Sequence, residues 1–135
     1  IFMNNQDPIK VNEYKSITTY LLNNKFNLFQ DHWNPRIIGE LNGQHVKLAK
    51  LKGEFIWHSH EKEDELFYVA KGVLKMEFRD RTEILQQGEM IIVPRGVEHK
   101  PVAEEEVHVI LFEPASTINT GEVENEKTRK KLEVI

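Results

Sequence analysis

Two periodicities divide the chain. From Asn12 to about His32 the apolar residues Tyr14, Ile17, Leu21, Leu22, Phe26 and Phe29 recur at helical spacing. Asn12 and Asn23 or Asn24 are natural cap or break positions, so one or two short amphipathic helices are expected over 12–32. From Arg36 to Pro114 the pattern shortens to apolar runs that often alternate: RIIGEL, HVKLAKL, EFIWH, LFYVA, VLKMEF, TEIL, EMIIVP and VHVILFE. Eight strands are expected, separated by turn signals at Asn42-Gly43, Lys52-Gly53, Lys71-Gly72, Gln87-Gly88 and Pro94-Arg95-Gly96. That spacing belongs to an all-β sandwich or barrel. Residues 115–135 are polar and then mixed in charge, which reads as an arm or a short terminal helix.

Composition narrows what such a barrel can do. With 135 residues, 39% of them hydrophobic, the chain can build one core, and a single domain over 1–135 is expected. The 18 Lys and Arg are scattered against 22 Asp and Glu, for a net charge of −4, which does not suit a phosphate backbone. Nucleic acid is not an expected partner. No apolar run reaches the roughly 18 residues of a membrane span, and the first residues lack the pattern of a secretory leader. A cytoplasmic protein without membrane contact is the expectation. Because the chain has no cysteine, any metal must be held by nitrogen and oxygen.

The stretch GEFIWHSHEKEDELFYVAKG, residues 53 to 72, supplies such donors. On a strand, residues i and i+2 share a face, so His58 and His60 would project together, about 7 Å apart along the strand. The loop EKED would let Glu65 present a carboxylate from the next strand. Two imidazoles and a carboxylate make a facial set for a divalent transition metal. An H-x-H also arises by chance in surfaces and cores, but residues 88 to 99, GEMIIVPRGVEH, add a strand and a Pro-Arg-Gly turn that deliver His99. In this reading Ile56 shares the metal face, while Phe55, Trp57 and Ser59 face away.

Together the two segments resemble the signature motifs of the cupin superfamily. The first is carried by Gly53, His58, His60, Glu65 and Gly72, the second by Gly88, Pro94, Gly96 and His99. Gly53 sits one residue nearer to His58 than the usual pattern, and Ala103 stands where the second motif often has asparagine; neither is a ligand position. The resemblance implies a double-stranded β-helix, with a barrel core over 36–114 and the ion inside. It implies one divalent ion per chain on His58, His60, Glu65 and His99, with one or two positions left for water or a small-molecule ligand. An imidazole-rich site without thiolate accepts iron, nickel, manganese, cobalt, copper or zinc. Glu40-Leu41-Asn42, Glu113-Pro114 and Asn119-Thr120-Gly121 are similar to features of a group of short cupins labelled sugar-phosphate-isomerase-like.

Fold alone does not choose the chemistry. A small-molecule oxygenase, by family resemblance a dioxygenase, stands first; a metal-dependent isomerase or lyase and a non-catalytic metal or ligand binder stand beside it. The isomerase reading needs a base inside the barrel, for which His108 is the candidate that the strand pattern offers. His108 otherwise reads as a packing histidine, on a face shared with Ile110 and Phe112 and opposite Val107, Val109 and Leu111. His32 and His45 carry no ligand spacing. Glu61, Glu63 and Asp64 read as a solvated loop face, residues 104–106 as an exposed turn between strands, and Arg79, Asp80 and Arg81 as a hairpin turn. Phe55 and Trp57, if they face away from the metal, need a cover. The N-terminal helices or a second chain could supply it, and the cupin resemblance implies a homodimer.

Overall fold

The computed structural model describes residues 17–135. Asn12 and Tyr14, at the start of the expected helical segment, lie outside the described residues. Within them that segment contracts to one five-residue helix, α1 (Leu22–Phe26), with Asn23 and Asn24 inside it rather than at its ends. Leu21, at its N-cap, makes no side-chain capping bond, so local chemistry does little for the helix. Its anchor is apolar: Phe26 and Phe29 are buried against Ile38 and Leu48.

Seven strands follow: β1 (Arg36–Leu41), β2 (Gln44–Glu54), β3 (Glu65–Lys71), β4 (Leu74–Phe78), β5 (Thr82–Leu85), β6 (Met90–Val93) and β7 (His99–Pro114). They form one antiparallel, all-β sheet in the order β1-β2-β7-β3-β6, with β4 pairing to both β7 and β5. β7 organises the barrel. One side of it is lined by β2 along nearly its whole length, while its other side pairs first with β4, from His99 to Val102, and then with β3, from His108 to Phe112.

Two expectations change here. Residues 104–106 are not a turn between strands; Glu104, Glu105 and Glu106 lie inside β7, exposed, where its register against β2 shifts between Leu51 and Gly53. A long strand that serves two neighbours must bend, and such an irregularity supplies the bend. EFIWH, expected as a separate strand, instead gives Glu54 to the end of β2 and beyond it keeps only an isolated bridge between His58 and His99. Gly53, at φ 84°, turns the backbone out of extended geometry, so two-residue alternation stops there. Phe55 consequently does not face away from the candidate ligands: it is buried, stacked on Trp33 at 4.7 Å and edge-on to His58 at 5.3 Å. Trp57 is covered within the chain by the Arg79 guanidinium, 3.8 Å from its ring centroid.

Inward alternation fills the barrel. Ala49 and Leu51 of β2, Phe67 and Val69 of β3, Leu74 and Met76 of β4, and Val107, Val109 and Leu111 of β7 form the main core. β2 is buried on both faces, because Leu48 points outward under Phe26 and Phe29. Residues 115–135 form turns that wrap back over the barrel. Ile37 donates its N–H to the carbonyl of Glu133 at 2.9 Å and accepts from Ile135 at 3.0 Å, which closes the free edge of β1.

Candidate metal centre

His58, His60, Glu65 and His99 come together, and their candidate ligand atoms all lie within 4.8 Å of one another. Each reaches the cluster by a different local device. His58 and His99 exchange backbone hydrogen bonds at 3.1 and 2.9 Å, which sets their rings 4.3 Å apart. His60 is fixed from the second motif: Gly96, at φ 79°, donates its N–H to the His60 carbonyl at 2.8 Å. Glu65 opens β3 with its side chain inward. Asp64, expected as a solvated loop residue, ties the two motif loops together by accepting from the backbone N–H of Arg95 at 2.8 Å and from its guanidinium at 3.2 Å.

All four side chains are buried. The Nδ1 atoms of His58 and His99 lie 2.9 Å from the carbonyls of Ile56 and Val97, an arrangement that makes Nδ1 the donor and leaves Nε2 as a lone-pair donor toward the cluster. Glu65 Oε1 sits 3.0 Å from His60 Nε2 and 3.2 Å from His99 Nε2. None of these three atoms makes a hydrogen bond of acceptable direction within the protein. Their separations nevertheless gather all three around one small volume. A buried polar atom without a partner costs about 1–3 kcal/mol, so such a convergence fits a cation that engages all of them at once. Three imidazoles and one carboxylate suit a divalent transition metal and leave coordination positions open.

The electrostatics agree with that use. Burial, reinforced by His99, depresses the His58 pKa to about 4, so the imidazole is neutral at physiological pH and available as a ligand. Burial works against the charge of Glu65, yet His60 and His99, with Glu113 beside them, hold its carboxyl well below the usual range. Glu113 behaves oppositely. Burial and then the Glu65 charge push its carboxyl well above the usual range, against the influence of Lys47.

Glu113 was not among the expected site residues, and neither was Lys47. Both are almost wholly buried, and Lys47 Nζ is 2.5 Å from Glu113 Oε2. The signal for Glu113 was present: it continues the inward phase of Val107, Val109 and Leu111. A cavity of about 40 Å³ opens onto the cluster, lined by Trp33, Phe55, Phe67 and Leu111 and by the polar side chains of His58, Glu65, Glu113 and Asn119.

The remaining histidines stay outside. His108 stacks on Phe26 at 4.7 Å and reaches Glu106 at 3.1 Å, as a packing residue on the outer face; it cannot serve as a base inside the barrel. His32 pairs with Glu106 at 2.7 Å, and His45 lies 3.4 Å from Glu40.

A barrel of this topology with this donor set defines a cupin, and comparison with known proteins agrees. The cupin-domain family (Cupin_2) matches residues 44–113, and the chain belongs to it. A cupin-2 domain protein from Shewanella frigidimarina is 49% identical, with a TM-score of 0.70 over 70% of this chain and 93% of that one. Protein NMB1881 from Neisseria meningitidis is 29% identical, with a TM-score of 0.67 over 73% of this chain and all of that one. The uncharacterized protein YdbB of Bacillus subtilis is 39% identical over 64 residues, which are 47% of this chain and 57% of the relative.

Proposed function

We propose that this chain is a single-domain, mononuclear metal-binding cupin that acts on a small molecule, with His58, His60, Glu65 and His99 as ligands of one divalent ion per chain. The observation that carries the reading is the set of unpartnered, buried donor atoms on His60, Glu65 and His99 converging beside a cavity. When bound, the ion would supply Lewis-acid activation of a ligand oxygen at its open positions. The chain's own residues do the rest. His58 and His99 are held by their backbone contacts in the tautomer that ligates, and Trp33, Phe55 and Phe67 exclude water from one side of the ligand.

Oxygenation of a small organic substrate is the favoured reaction class, because the donor set leaves open positions and because His108, the base an isomerase needed, lies outside the barrel. Elemental analysis should find about one ion per chain in the wild type and a large loss in His60→Ala and in His99→Ala. Equal metal contents in all three would refute the reading. Anaerobic reconstitution with Fe(II), Mn(II), Ni(II) or Zn(II), followed by a substrate screen, separates the chemistries. Turnover that requires oxygen and iron supports an oxygenase, turnover without oxygen an isomerase or lyase, and saturable binding without turnover a binding module.

The proposal includes a homodimer in the cytoplasm, although the cover once expected for Phe55 and Trp57 is found within the chain. Its support lies on the outer face of β3 and β6, where Tyr68 pairs with Met90 and Leu66 with Ile92, and where Met90 and Ile92 are 52% and 54% exposed. A contiguous apolar face of this kind suits a two-fold contact between like chains. Sedimentation should give twice the mass of one chain for the wild type and one chain for Ile92→Lys; a monomeric wild type at micromolar concentration overturns it. No helix among the described residues is long and apolar enough to cross a membrane.

A further inference from the structure

The cavity above the candidate ligands is polar at one end only. Trp33, Phe55, Phe67, Leu111 and their neighbours make apolar walls, and among the described residues no lysine or arginine lines it. Asn119 reaches it with an amide that is fixed within the arm, donating one N–H to the carbonyl of Lys127 and accepting from the N–H of Arg129, which leaves one N–H uncommitted. Among the described residues, the polar groups that line the cavity besides Asn119 are those of the candidate centre and Glu113.

Glu113 is held for that purpose by its neighbour. Lys47 Nζ bonds Oε2 at 2.5 Å, while Oε1 is buried and makes no hydrogen bond of acceptable geometry, with the Glu65 carboxyl as the neighbour of Glu113. A carboxyl clamped on one oxygen is fixed in orientation, so Glu113, which lines the cavity, offers its other oxygen as a fixed hydrogen-bonding group beside Glu65. It adjoins Glu65, so a molecule whose oxygen met an ion held there would place its next atom near Glu113.

We propose that Glu113 is a specificity-determining residue that hydrogen-bonds a ligand hydroxyl next to the metal-binding oxygen, and that the ligand is a small, unphosphorylated molecule with two vicinal oxygens on a planar apolar body. This rests on the metal-binding reading above and adds the ligand class to it. Size and charge both contribute. About 40 Å³ is room for roughly three water molecules, at about 10–15 Å³ each, or for one thin ring entering from the mouth. A phosphate ester would meet apolar walls and two carboxyl groups, with no lysine or arginine among the described lining residues to offset its further charge.

The test uses Co(II)-reconstituted full-length protein and two probes, catechol and dihydroxyacetone phosphate. Binding is read from the Co(II) absorption and, independently of metal, from Trp33 fluorescence in a Trp57→Phe background. Because Glu113→Gln could disturb folding by leaving Lys47 without its charged partner, Lys47→Met/Glu113→Leu is measured as well; it removes the pair together and keeps the volume. Catechol should bind the wild type, bind both variants at least 10-fold more weakly at unchanged metal content, and bind far better than dihydroxyacetone phosphate. Unchanged catechol affinity in the variants, or phosphate-ester binding as tight as catechol binding, overturns the proposal. Failure of the metal reading shows separately, as absence of cobalt from every protein. In that case the Trp33 signal still decides whether Glu113 contacts catechol.

Discussion

Gly121, in the C-terminal arm, sits where a single methyl group should reach the candidate metal centre. A Cβ built there would lie 2.0 Å from the carbonyl oxygen of Ser59 and 3.4 Å from the His58 ring, and φ is +61°. Ser59 stands between two candidate ligands, and its carbonyl also accepts the N–H of Glu122 at 3.1 Å. Two costs should therefore add in Gly121→Ala. Placing an alanine in the left-handed region costs about 1–2 kcal/mol. Relieving the contact requires a shift of more than 1 Å, to reach the roughly 3.2 Å or more of an ordinary carbon to oxygen contact, and overpacking of this kind costs about 1–3 kcal/mol. The expected loss is about 2–5 kcal/mol of stability. Gly43→Ala is the control, because Gly43 has φ +78° and nothing within 4 Å of its Cβ. It should show the backbone cost alone. Urea denaturation gives the two stabilities, and competition with a chromogenic chelator gives the two metal affinities. Gly121→Ala should exceed the control in both, with metal affinity at least 10-fold weaker, because the His58-Ser59-His60 backbone must move. If the two variants lose the same stability and neither loses metal, the arm does not brace the metal loop and the reasoning fails.

Lys47→Met should destabilise by about 3–5 kcal/mol, since it strands a buried carboxyl group, whereas Lys47→Met/Glu113→Leu should recover most of the loss. A double-mutant cycle in urea with no recovery would contradict this. The pH dependence of the metal-free protein follows from His58. Its pKa is lowered on folding, from 6.5 to about 4, so between these values the unfolded chain binds a proton that the folded chain does not. The associated stability is full above pH 6.5 and falls as pH drops toward 4, by about 3 kcal/mol in total; His58→Gln should flatten that part of the profile. Chelation should leave the β-sheet circular dichroism in place, because the buried core of Leu48, Val69, Met76 and Val109 is apolar and contains none of the candidate ligands. Collapse of the spectrum on chelation would mean that the ion is part of the fold.

Strand periodicity and turn residues were enough to read the all-β class, six of the seven strands with small boundary shifts, and the part of β7 from Val107 onward. His58, His60, Glu65 and His99 were legible as one group, since paired motifs with fixed spacing and turn glycines such as Gly96 constrain where the side chains can go. Alternation on β7 also held the information that Glu113 points inward with Val107, Val109 and Leu111. What no local pattern could say is which partner waits there. Lys47 and Glu113 are 66 residues apart and meet only because β2 pairs with β7 in one register. The fate of EFIWH was likewise decided in three dimensions. Gly53 breaks the extended geometry, and Trp33 and His58 then take Phe55 into the barrel, where alternation alone had put it outside. Helical spacing over 12–32 overstated the helix within the described residues, because Phe26 and Phe29 satisfy their apolar surface by docking on Ile38 and Leu48 without needing continuous helix between them. Local sequence sets the period of each strand and the turns between them, since those depend on neighbouring residues. Contacts between distant strands depend on register and closure of the whole barrel, and that closure determines what the four candidate ligands face.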